Sequence, residues 1–215
     1  MPKALENVLH DESKRATDKD AQRAREILWL LQDRAQGGIG VLAYVIEADK
    51  AIPQSKFDND VDWIARISTW YALQALTMNL ARALDQAGPD RDNLHSLFEL
   101  IEMPNVLANV LMDGQEAHML NARKRWCRLL SNVRVERLRE LRNWMLAHNL
   151  SPVALSRWPS GSLYPAEIVE LADEIFSLID ELCCAFYGAS SIGECRARAP
   201  SAASQFWRRL TALGI

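Results

Sequence analysis

Between Gly114 and Pro152 the sequence holds neither glycine nor proline, and this stretch constrains the fold more than any other feature. Nothing in it stops a helix, so the spacing predicts one long helix from about Gln115 to His148. Leu, Ala, Glu and Arg, all strong helix formers, dominate the chain as a whole. Alternating runs of β-branched and aromatic residues, the signature of strands, are absent. The fold class is therefore all-α, a helical bundle. With 215 residues, 49% hydrophobic and 25% charged, the chain has the composition of one globular domain with a sizeable core.

The rest of the chain reads as further helices. Thr17 and Asp20 form a capping-box-like pair, after which Ala24, Ile27, Leu28, Leu31 and Ala35 recur at helical spacing. The polar residues 1–16 ahead of them are expected to be disordered. Gly37-Gly38-Ile39-Gly40 predicts a kink or turn, since no strand precedes it and no Lys-Ser/Thr follows to make a phosphate loop. Helix resumes at Val41 and stops at Pro53. Asp58-Asn59-Asp60 offers N-caps for a second helix, about 61–87, closed by Gly88-Pro89. Its apolar residues, among them Ile64, Tyr71, Leu73, Leu76 and Leu80, cover nearly the whole circumference, which predicts a buried central helix. Short helices are expected around 93–102 and 106–112, separated by Pro104. A loop follows from Leu150 to Ser162. From Pro165 to Gly188 the stripe Ile168, Leu171, Ala172, Ile175, Ile179, Leu182 and Phe186 predicts a strongly amphipathic helix. Residues 17–188 thus form the helical domain, and 189–215 a mobile tail with a short terminal helix at about 205–213.

Charge and cysteine usage narrow the function. A net charge of −3 and a pI near 5.8 exclude a wholesale nucleic-acid coat, so any RNA contact is local. Cys127, Cys183, Cys184 and Cys195 form no CxxC pair and have no metal-ligand spacing, which suits reduced thiols. No apolar leader follows Met1, and the longest apolar stretch, Ile39 to Ile46, is too short to span a bilayer. A cytoplasmic protein, without membrane contact, is expected.

The chemistry-bearing residues concentrate near the end of the long helix. At 100° per residue, Cys127, Leu130, Arg134, Leu138, Leu141 and Met145 share one stripe, with Arg142 and His148 each about 60° from Met145 on opposite flanks. Asn143 points further round. Arg123, Lys124, Arg125, Arg128, Arg134, Arg137, Arg139 and Arg142 face only Glu136 and Glu140 within the same stretch. This is a phosphate-attracting surface on an otherwise acidic chain; equally, it is a face that pairs with the acidic residues of 167–181.

The run Arg142-Asn143-Trp144-Met145-Leu146-Ala147-His148 (Arg, polar residue, four more, His, near a helix end) resembles the signature of the HEPN superfamily of all-α bundles. Met78 to Asp85, followed by the Leu-rich run Asn93 to Met103, looks like the corresponding helices of its U-type abortive-infection branch. The resemblance covers roughly residues 61 to 187. Trp144 departs from the basic residue often found two places after the motif Arg.

What the resemblance implies is RNA recognition or metal-independent RNA cleavage at a site completed across a homodimer, in phage defence or with an antitoxin protein. His148 would transfer the proton. Arg142 would stabilise charge on the phosphate, and Asn143 would orient either. Arg134, Arg137 and Arg139 would bind the RNA backbone; no cofactor or metal is implied. Two blander readings stay open. One is a non-catalytic interaction module that holds a protein partner in the same groove; the other is a structural bundle in which His148 is a helix C-terminal cap and Arg142 salt-bridges a neighbouring helix. Other candidates are poorer. His118 and Glu116 make no HExxH. His10 lies in the polar start, His95 opens a short amphipathic helix, and Glu99 and Glu102 lack the Glu-x-x-His pattern of a di-metal bundle. Most of the seven tryptophans fall at apolar helical positions that core packing explains. Trp158, in the loop after the motif, is the exception.

Overall fold

A computed structural model describes residues 3–54, 59–86, 88, 91–147 and 163–212. These form eight α-helices and one 3-10 turn, with no strand among the described residues. The helices are α1 (Lys3–Ala51), α2 (Asn59–Ala83), α3 (Leu94–Ile101), α4 (Pro104–Val110), α5 (Glu116–Leu130), α6 (Val133–Ala147), α7 (Pro165–Tyr187) and α8 (Ile192–Ala212). The chain is an all-α bundle.

The central helix is α1, not α2. It packs against α2, α3, α4, α7 and α8 through Ala24, Ile27, Leu28, Leu31, Ala35 and Ile39, each at most 4% exposed. It begins at Lys3 rather than at Thr17, so helix extends into the segment expected to be disordered. It also runs without a break through Gly37-Gly38-Ile39-Gly40, where the sequence predicts a kink. The reason for Gly38 is packing: a Cβ there would lie 2.7 Å from the Phe176 ring of α7. Gly38 lets two helices approach closely, while Gly37 and Gly40 face open space.

The expectation of a wholly buried α2 fails on one side. Leu73, Leu76, Leu80 and Ala81 are in the core, but Trp63, Ile64 and Tyr71 are 60%, 58% and 48% exposed. The long basic helix also divides. Ser131 donates its hydroxyl back to the carbonyls of Cys127 and Arg128, the local bonding by which serine competes with the helical ladder. Asn132 then accepts from the Arg134 backbone N–H at 3.0 Å, an N-cap that starts α6 afresh. The break resets the helical phase. Met119, Ala122, Trp126 and Leu129 face the core from α5, whereas Val135, Leu138, Leu141 and Met145 do so from α6. Leu130 and Cys127, placed on the core stripe by a continuous wheel, are exposed.

α7 follows its sequence pattern: all seven stripe residues are buried, and Gly188 ends it at φ 71°, the left-handed conformation that a C-cap glycine supplies. Beyond it, the segment expected as a mobile tail is a single helix of 21 residues, α8. α8 lies along α1. Trp207 buries its indole with Ala48, Ile52 and Ala65 and donates its N–H to the Tyr44 carbonyl at 3.2 Å, satisfying the one polar atom of a buried indole.

Candidate functional site

α2 ends at Ala83, and Leu84 turns back to bond the carbonyls of Leu80 and Ala81. Two arginines of α6, three positions apart and hence on one face, reach this end. Arg139 donates to the Leu84 carbonyl, and Arg142 donates to the Asp85 carboxylate. Cations at a helix C-terminus complement its free carbonyls and dipole. The Arg142 and Asp85 side chains are 20% and 25% exposed, so the pair sits at a solvent margin rather than in the core.

Asn143 is exposed. The helical wheel sets it apart from Arg142, yet its side-chain oxygen accepts from Arg142 Nε at 3.3 Å and from a terminal nitrogen at 3.2 Å. The guanidinium is therefore held from two sides, by a carboxylate and by a neutral amide. His148 lies outside the described residues, as does Trp158.

The other arginines expected to bind RNA have protein partners. Arg134 bridges to Glu170 at 2.7 Å and to Glu174 at 3.4 Å, and Arg137 approaches Glu167 at 3.9 Å. The basic helix and the acidic face of α7 thus pair across the bundle. Arg123, Lys124, Arg125 and Arg128 on α5 have no carboxylate in salt-bridge range among the described residues.

One residue that sequence reasoning set aside joins this neighbourhood. His95, at the start of α3, has its ring 4.7 Å from Trp126 in an edge-to-face arrangement, and Trp126 stacks on Phe98 at 4.9 Å. Among the described residues its buried Nε2 has no hydrogen-bond partner, nor has the buried Nε of Arg139. Burial first, and then the Arg139 charge, push the imidazole below its ordinary pKa, with Glu99 and Asp85 pulling it back. His95 is thereby biased toward the neutral form that carries one donor and one acceptor. The buried Asn93, which caps α3 by accepting from Ser96 N–H at 2.9 Å, was the available sequence signal that this helix start is held firmly.

Two tryptophans depart from the core-packing expectation, since Trp29 and Trp63 are 61% and 60% exposed. Among the described residues no group of three His, Cys, Asp or Glu side chains is arranged to hold a metal ion. No helix there is long and apolar enough to cross a membrane.

The model of a HEPN family described as AbiU2 matches residues 72–202, from the middle of α2 into α8, and so takes in Asp85, His95, Arg139, Arg142 and Asn143. Comparison with curated proteins and with solved structures gives no match.

Proposed function

The chain belongs to the AbiU2 family of HEPN proteins, associated with abortive infection, and from that premise we propose that it acts on RNA in the cytoplasm as a metal-independent endoribonuclease. The observation that carries this reading is the held guanidinium of Arg142. Fixed between Asp85 and Asn143, it is pre-positioned at a solvent margin, and a fixed cation stabilises developing charge without reorganising during the reaction. His148 takes the proton of the RNA 2′-hydroxyl as its oxygen bonds to phosphorus, the P–O5′ bond breaks to leave a cyclic phosphate, and the proton passes to the departing 5′-oxygen. The RNA supplies its own nucleophile, so no metal is needed. Two copies complete the site; the exposed Trp63, Ile64 and Tyr71 of α2 and Leu146 of α6 are apolar surface that a homodimer buries. An antitoxin protein restrains the activity.

One specific observation favours a second reading. Arg134, Arg137, Arg139 and Arg142 are all engaged within the fold, as they would be in a non-catalytic module of the same fold. Incubating the purified protein with total RNA in the presence of chelator, with light scattering on the same preparation, separates the two. Cleavage by a dimer supports the ribonuclease. A dimer or monomer that leaves RNA intact at every salt and pH tried supports the module.

A further inference from the structure

The break between α5 and α6 opens a cavity of about 410 Å³ lined by Arg125, Arg128, Leu129, Asn132, Arg134 and Glu174. We infer that this cavity is a phosphate-binding pocket that holds a backbone phosphodiester of an RNA strand, separate from the Arg142 motif. The inference rests on the RNA-acting reading above for the source of the phosphate, though not for the chemistry of the pocket.

The lining divides into a wall and two free cations. Arg134 is committed to Glu170 and Glu174, two carboxylates that more than balance its charge, and it forms the anchored wall. Arg125 and Arg128 have no carboxylate within salt-bridge range among the described residues. Arg128 spends only its Nε, on the Lys124 carbonyl at 3.4 Å, which orients the side chain and leaves both terminal nitrogens to donate. Asn132 spends its oxygen on the α6 cap, and its amide NH2 has no hydrogen-bond partner among the described residues. The free donors at the cavity are thus two guanidinium forks and one amide, with the first turn of α6 beside them.

Forked guanidinium donors match the paired oxygens of a phosphate, and a helix start adds partial positive charge. The opposing charge is Glu174, already shared with Arg134. Lys124, exposed one turn before Arg128 on the same face of α5 and without an acidic partner among the described residues, extends the positive track outward from the pocket. On a chain of net charge −3, a patch of cations with no acidic partner among the described residues is where a polyanion is drawn.

The test is anisotropy of a fluorescent single-stranded RNA oligonucleotide, titrated with the full-length protein over a series of salt concentrations. Each phosphate contact on a single strand contributes about 0.7 to the slope of log K against log salt. Arg125→Gln with Arg128→Gln is expected to weaken binding about tenfold at low salt and to flatten that slope by about 1.4. Asn132→Asp is the second variant. It keeps the cap oxygen, and so the fold, while placing a negative charge in the pocket; it is expected to weaken RNA binding with no loss of melting temperature. Adenosine 5′-monophosphate, titrated in parallel, distinguishes the source of the phosphate. RNA binding that weakens in both variants supports the inference. RNA binding unchanged in both overturns the pocket and leaves the RNA reading standing. Nucleotide binding lost in the variants, with no RNA binding by the parent, supports a phosphate pocket but overturns RNA as its source. Binding of neither probe overturns pocket and RNA reading together.

Discussion

Arg142 of α6 closes the C-terminal end of α2 by donating to Asp85, and the motif arginine is therefore also a tie between two helices. The two roles separate by mutation. Asp85→Asn keeps an acceptor for the guanidinium and removes the charge. It is expected to lower stability by about 1 kcal/mol, while Arg142→Ala, which also strips the bond to Asn143, costs about 1–2 kcal/mol. Chemical denaturation of the two variants checks the order. Equal stability of Arg142→Ala and the parent would mean the tie contributes nothing.

The three glycines of α1 should respond in opposite directions. Gly38→Ala places a Cβ against the Phe176 ring at 2.7 Å, and overpacking of this kind costs about 1–3 kcal/mol. Gly37→Ala and Gly40→Ala meet nothing within 4 Å and should each stabilise the helix by about 0.5–1 kcal/mol. Melting temperatures of the three single variants suffice. If a hinge operates at this glycine run instead, all three should rigidify it alike.

His95 sets a pH dependence whose sign follows from its lowered pKa. The folded protein holds this proton less tightly than the unfolded chain, so stability falls as pH drops below the ordinary value of 6.5. The loss levels off once pH lies below the folded-state pKa. His95→Phe should flatten that part of the stability profile. An NMR titration of the His95 ring that gives a midpoint at or above 6.5 contradicts the assignment.

Thiol reactivity should follow burial. Cys183 is fully buried, and burial, followed by the Asp180 carboxylate, pushes its thiol up to about 12. Cys127 is exposed. Iodoacetamide at neutral pH should label Cys127 readily and Cys183 only after unfolding, because the thiolate is the reactive species. Mass spectrometry of the native and denatured protein reads both.

The fold class and the apolar stripe of α7 were legible in the sequence because each rests on a single periodicity that packing then reinforces. What was not legible depended on partners distant in sequence. Gly37-Gly38-Ile39-Gly40 reads as a breaker until Phe176 lies against Gly38. The Ala- and Arg-rich segment after Gly188 reads as mobile until α1 supplies a groove for Trp207. Ser131 and Asn132 are weak local signals that overrode an apparently continuous helix, and with it the phase of every residue upstream of the break. At the candidate site, the sequence singled out Arg142 and Asn143, which the fold brings together. It set His95 aside because its neighbours, Trp126 and Arg139, arrive from other helices. The pairing of Arg134 and Arg137 with α7 was one of two readings that charge alone left open.

The central claim is that Arg142 and His148 do chemistry on RNA, and it is tested most directly by the chelator-resistant cleavage rate of the parent, Arg142→Ala and His148→Ala, with melting temperature measured on the same preparations. The parent should cut RNA, and each variant should lose on the order of a hundredfold or more in rate. His148→Ala should melt close to the parent. Variants that cut like the parent, or a parent that cuts no RNA under any salt or pH, would contradict it.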